Sequence, residues 1–158
     1  MYKRALIPLD GSMVAESIIP FILEIAGPLD MEVALVRVLV PVPPMAVEGT
    51  RQVFIEDVDK LQVQAENYLA PIAAELRGRG VRATVMVRRG EAVAEILSGA
   101  AEAGADLIAM TTHGRSGLSR LLFGSVAAAV VSHAEIPVFL MRQTASQVAA
   151  RAAWEAVR

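Results

Sequence analysis

Met110 to Ser125, M-T-T-H-G-R-S-G-L-S-R-L-L-F-G-S, is the stretch whose residue types and spacing point most directly to chemistry. It follows the apolar run Ala105-Asp106-Leu107-Ile108-Ala109-Met110, which reads as a buried strand. It precedes a helix expected over Val126 to His133 that opens with Gly124-Ser125. Glycines let the backbone come close to a ligand, and the N–H groups at a helix start attract phosphate. A glycine-rich loop joining a strand end to a helix start therefore suits an anion, and a nucleotide phosphate is the expected occupant.

The same loop is poor in the groupings that catalysis needs. A general base requires a nucleophile and an orienting partner at hydrogen-bond range. Ser116 and Ser125 lie near His113 in sequence, but Gly114-Arg115-Ser116-Gly117 is not the G-x-S-x-G elbow. His113 reads better as a backbone or ligand-positioning residue. Arg115 and Arg120 are either solvated charges or counter-charges to a phosphate. His133, late in its helix, suits the dipole there and reads as structural. Gly78-Arg79-Gly80-Val81-Arg82-Ala83 nominally fits G-x-G-x-x-A, but it follows a helix and enters a strand, the reverse of the order that dinucleotide binding needs. The chain contains no Walker A sequence and no H-E-x-x-H. Glu56, Asp57 and Asp59 read as a solvated helix face rather than a metal site. Arg37, a charge inside an apolar strand, either reaches the sheet end or pairs with a carboxylate.

Composition sets the bounds within which this loop works. The 158 residues fit one domain with a sizeable core. They are 54% hydrophobic and 4% aromatic, so the apolar content is mostly Ala, Val, Leu and Ile, as in strands covered by helices on both faces. A net charge of −2 argues against a nucleic-acid surface. With no cysteine, a disulfide framework, a zinc-thiolate site and a cysteine nucleophile are excluded. The N-terminal apolar run is ended by Pro8 and Asp10, too early for a signal peptide, and Ser17 to Leu29 is broken by Pro20, Glu24 and Pro28, too short to span a bilayer. The expectation is a cytoplasmic protein with no membrane association.

The elements that position the loop alternate. Strands are expected at Arg4 to Leu9, Glu32 to Val40, Val81 to Val87, Asp106 to Met110 and Ile136 to Met141. Helices are expected from Met13 to Ala26, capped by Ser12, and from Glu91 to Ala103, closed by Gly104. A long helix fills most of Thr50 to Gly80, where Leu61, Ala65, Leu69, Ile72, Ala73 and Leu76 recur at helical spacing. Such alternation means βαβ units and a parallel sheet, here an α/β doubly wound sandwich of five strands with helices on both faces. Ligands in these sheets bind at strand carboxyl ends where the strand order reverses. The ends after the first strand (Asp10) and after the fourth (Thr111 to Gly117) carry the polar and glycine residues, so a site between them is expected. Residues 1–142 read as this domain. Gln143 to Arg158 is an Ala-rich, helix-prone tail that either packs or frays.

The loop, taken with L-I-P-L-D-G-S near the start, G-E-A-V-A-E-I-L, G-A-D-L-I-A-M and I-P-V-F-L-M-R, resembles the universal stress protein family over residues 1 to about 142. ATP-binding members carry a glycine, two residues, a glycine, nine residues, then glycine with serine or threonine. Here Gly114, nine residues and Gly124-Ser125 match, and Thr111 stands in place of the first glycine. The resemblance implies an adenine nucleotide alpha hydrolase-like sheet of order 3-2-1-4-5. It places Asp10 near the adenosine and Pro8 and Val38 near the adenine. Met110, Thr111, His113 and Gly114 would line the ribose and phosphate path, beside Arg115, and Gly124, Ser125 and Val126 would hold the phosphates. Thr111 is the departure: a β-branched residue takes positive φ poorly, so either none is needed there or the pocket differs. Its hydroxyl could also serve the ligand directly.

The leading expectation is a regulatory protein that binds ATP, with Mg²⁺ held mainly by phosphate oxygens and water. The competing one is a nucleotide-independent stress-protection or interaction dimer of the same family. An ATP pyrophosphatase would carry an S-G-G-x-D-S type loop after the first strand, where this chain has L-D-G-S-M. A homodimer is expected through the fifth strand, Ile136 to Met141, which as an apolar edge would otherwise be an open pairing site.

Overall fold

The computed structural model describes residues 1–41, 51–112 and 124–142, together with Ala149 and Ala153; over 51–57 it describes the backbone alone. Ten elements follow one another: β1 (Arg4–Pro8), α1 (Met13–Glu16), α2 (Ile19–Ala26), β2 (Glu32–Leu39), α3 (Arg51–Gly78), β3 (Ala83–Arg89), α4 (Ala92–Ala103), β4 (Leu107–Thr112), α5 (Ser125–His133) and β5 (Val138–Arg142). The strands form one five-stranded sheet in the order β3-β2-β1-β4-β5, parallel throughout. This is the order and fold class that the resemblance implied.

Side-chain alternation along the central strands builds two cores. Ile7, Leu35 and Ala109 point to the layer of α2 and α3, where they meet Ile22, Leu69, Ile72 and Leu76. Leu6, Ala34, Ile108 and Met110 point the other way, onto Ile96 and Ala100 of α4 and Ala127 and Val130 of α5. A strand buried on both faces has no polar position to spare, which explains the near-continuous apolar runs.

Several boundaries differ from expectation, each for a local reason. The helix expected over Met13 to Ala26 is two helices. Pro20 has no N–H to continue α1 and sits instead in the first turn of α2, while the Ser17 hydroxyl donates to the Val14 carbonyl at 2.6 Å. Val81 is spent on ending α3, donating its N–H to the Leu76 carbonyl at 3.0 Å, so β3 starts at Ala83 and runs on to Arg89 in register with Leu39. Glu91 is not a helical residue but the N-cap of α4, its carboxylate accepting from Val93 and Ala94 N–H. Gly104 closes that helix in the left-handed conformation, φ +62°. Leu61, expected on the buried face of α3, is 47% exposed, whereas Ala65, Leu69, Ile72, Ala73 and Leu76 are buried. Strand β4 extends through Thr112, and β5 begins at Val138 rather than Ile136. Of the tail, Ala149 and Ala153 are helical and exposed, and its other residues lie outside the described ones. Among the described residues no helix is long and apolar enough to cross a membrane.

Candidate functional site

The order of the sheet reverses between β1 and β4. A cleft of about 620 Å³ opens at that point, in the range usual for small-molecule sites. Pro8, Asp10, Val38, Met110, Thr111, Gly124, Ser125 and Val126 all line it. Eight of the residues singled out in the sequence, from four separate elements and their connections, thus come together on one surface. His113, Gly114 and Arg115, with Arg120, lie outside the described residues.

The β1 side of the cleft is a tight turn. Gly11 has φ +85°, a conformation open to glycine and strained for other residues. Asp10 is exposed and its carboxylate accepts the Ser12 N–H at 2.9 Å, while the Ser12 hydroxyl accepts the Ala15 N–H at 3.1 Å. The turn therefore presents one carboxylate to the cleft and consumes the first orphan donors of α1.

Arg37 resolves toward the sheet end. Its guanidinium reaches the Leu9 carbonyl at 3.5 Å, lies 6.0 Å over the Tyr68 ring, and packs beneath Gly11. The Tyr68 hydroxyl donates at 2.8 Å to Glu16, a carboxylate only 7% exposed at the end of α1. Burial pushes the Tyr68 phenol far above the ordinary tyrosine range, and the bond to Glu16 raises it further. Arg37, Tyr68 and Glu16 thus tie β2, α3 and α1 together under the wall of the cleft. Sequence reading missed Tyr68 and Glu16 because their partners are 52 residues apart. The one available signal was the interruption of an apolar strand by Arg37.

The β4 side answers the question raised by Thr111. Its backbone is part of β4, and among the described residues Asp30 is the one non-glycine with positive φ. A threonine fits there without strain. Its Oγ1 is withdrawn from solvent and has no hydrogen-bond partner among the described residues.

Across from these lies the start of α5. Gly124 takes the N-cap position, where it offers no side-chain acceptor, and Ser125, Val126 and Ala127 of the first turn line the cleft. Their N–H groups have no intrahelical partner, and the first helical bond is made by Ala128 to the Gly124 carbonyl. At the far end of the helix His133 Nδ1 donates to the Ala129 carbonyl at 2.8 Å, in keeping with a structural role. Among the described residues no group of three or more metal-ligating side chains occurs, and Asp59 is exposed.

The model of the Universal stress protein family matches residues 1–142. Universal stress protein MJ0531 of Methanocaldococcus jannaschii is 31% identical over 145 residues, covering 90% of this chain and 84% of that protein. Among solved structures, the hypothetical protein MJ0577, whose homonym from the same archaeon is a universal stress protein, superposes with a TM-score of 0.74 at 27% identity. That match covers 91% of this chain and 98% of the other. A universal stress protein family protein from Arabidopsis thaliana, solved with AMP bound, superposes with a TM-score of 0.65 over 92% of this chain and 94% of its own. At 18% identity that likeness is one of fold.

Proposed function

The chain belongs to the universal stress protein family, and we propose that it works there as a nucleotide-responsive switch that binds ATP in the cleft between β1 and β4. The observation that carries this reading is the start of α5: a helix of nine residues whose first turn faces the cleft with its N–H groups uncapped. Such a terminus favours phosphate through both its donors and its dipole. The rest of the lining suits the remainder of a nucleotide. Val38 and Leu39 from β2, Val40 just beyond it and Leu61 from α3 offer an apolar wall for a base, and Asp10 offers an acceptor for sugar hydroxyls. That a protein of the same fold holds AMP is in accord with this use of the cleft. Mg²⁺ would travel with the phosphates, held by their oxygens and by water. Thr111, whose sequence position spoke for a ligand-free relative, is accommodated in β4 and so does not weigh against the nucleotide.

The same reading makes the protein a cytoplasmic homodimer, joined at the edge strand β5, where Val138, Phe139 and Leu140 are half-buried, as is Ile136 just before the strand.

Calorimetric titration of nucleotide-stripped protein with ATP·Mg²⁺ tests the reading, with Ser125→Glu as the control that places a carboxylate in the phosphate position. Binding in the parent and its loss in the variant are expected. At ligand 100-fold above its dissociation constant the parent should gain about 2.7 kcal/mol of stability. Absence of heat together with an unshifted melting temperature would overturn it.

A further inference from the structure

Thr111 is where this chain departs from the glycine pattern of ATP-binding relatives, and the departure adds a hydroxyl to a place that the pattern leaves bare. Three observations bear on its use. Oγ1 is cut off from solvent and has no partner among the described residues, a state that buried hydroxyls rarely keep. The residue lines the cleft. Finally, β4 alternation fixes its direction: Ala109, two residues earlier, belongs to the core on the α2–α3 side, whereas Met110 belongs to the core under α4 and α5. Thr111 therefore faces the side of α1, where Ala15 and the Asp10 turn complete the lining, and the start of α5 lies on the other face of the sheet edge.

The polar groups then fall in an order along the cleft. An apolar wall from β2 and α3 comes first, then Asp10 and Thr111 at the β1–β4 gap, then the uncapped turn of α5. Base, sugar and phosphate follow one another in the same order. Resting on the nucleotide reading above, we infer that the Thr111 hydroxyl is a specificity contact: it hydrogen-bonds a ribose hydroxyl, opposite the Asp10 carboxylate, and selects ribonucleotides over their deoxy counterparts. Rotation about χ1 carries the threonine hydroxyl among three staggered positions, so the group reaches the ligand without backbone movement. A site built to bond a hydroxyl rejects the analogue that lacks it, because its own polar group is then left buried and unpaired.

The test titrates the protein with AMP, 2′-deoxy-AMP and 3′-deoxy-AMP, in the parent, Thr111→Val and Thr111→Ser, and measures the melting temperature of each without ligand. The parent should bind AMP about tenfold more tightly than one of the two deoxy analogues. Thr111→Ser should keep that ratio, and Thr111→Val, which matches the shape and lacks the oxygen, should reduce it to near unity by weakening AMP alone. The ligand-free Thr111→Val protein should melt higher, since an orphan hydroxyl has been removed. Equal affinities in the parent, a ratio that survives in Thr111→Val, or a lower melting temperature for ligand-free Thr111→Val would each overturn the inference while leaving AMP binding in place. Failure of the parent to bind AMP and ATP at all would instead overturn the nucleotide reading, and this inference with it.

Discussion

Tyr68→Phe isolates one atom of the buried network beneath the cleft. The phenol oxygen donates at 2.8 Å to Glu16, which is 7% exposed, so removing it takes a bond from a carboxylate that water can hardly reach. Hydrogen bonds to charged groups contribute about 2 kcal/mol. In a domain of this size each kcal/mol moves the melting temperature by roughly 2–4 °C, so a loss of about 4–8 °C is expected at neutral pH. Phenylalanine keeps the ring under Arg37, so the wall of the cleft is left standing. The pH dependence supplies a second, independent signature. Burial first, and the Glu16 bond second, raise the Tyr68 phenol well above its unfolded value. A raised folded pKa means that the contribution is complete below the unfolded tyrosine value of about 10 and is lost as pH rises beyond it, because the unfolded chain ionises first. The gap between parent and variant should therefore be constant from pH 7 to 9 and should close above pH 10, by about 1.4 kcal/mol per pH unit. Denaturant unfolding followed by circular dichroism at pH 7, 9, 10.5 and 11 reads both effects. A loss under 1 °C, or a gap that stays level or widens to pH 11, would refute the argument that this hydroxyl is a buried, bonded phenol.

Two further outcomes are expected. Asp106 accepts the N–H groups of Lys3 and Arg4 at 2.8 and 2.9 Å; burial pulls its pKa up, but the bonds from Arg4, Lys3 and its own amide outweigh it and hold the carboxyl below the ordinary range. Its contribution is then present above about pH 4 and lost as pH falls, so Asp106→Asn should flatten the acid limb of the melting-temperature profile, and an unaltered limb would assign that loss to other carboxylates. On the proposed dimer, Val138→Asp places a charge on edge strand β5 and should yield monomers by light scattering, where a dimeric parent with an unchanged variant would point to another interface.

What could be read from the residues alone was what depends on neighbours along the chain. The alternation of apolar runs with helical periods determined the βαβ build and hence a parallel sheet, because both patterns are local and repeat. The polar residues after β1 and β4 pointed to the cleft in outline, since a parallel sheet binds ligands where its strand order reverses. The break at Ser17–Ile18 has a local cause too, in Pro20, but the helical pattern on either side led to the expectation of one unbroken helix. Tertiary structure decided what depends on packing between distant segments. It settled that Arg37 reaches Leu9 and Tyr68, and that Tyr68 meets Glu16 across 52 positions. It also settled that β4 continues two residues past the apolar run, because Thr111 and Thr112 find Met141 and Arg142 of β5 in register. That last pairing places Thr111 in extended backbone, where a β-branched residue is at ease, with its hydroxyl turned into the structure. No spacing in the sequence carries that information, since the partner strand that imposes it lies some thirty residues further on.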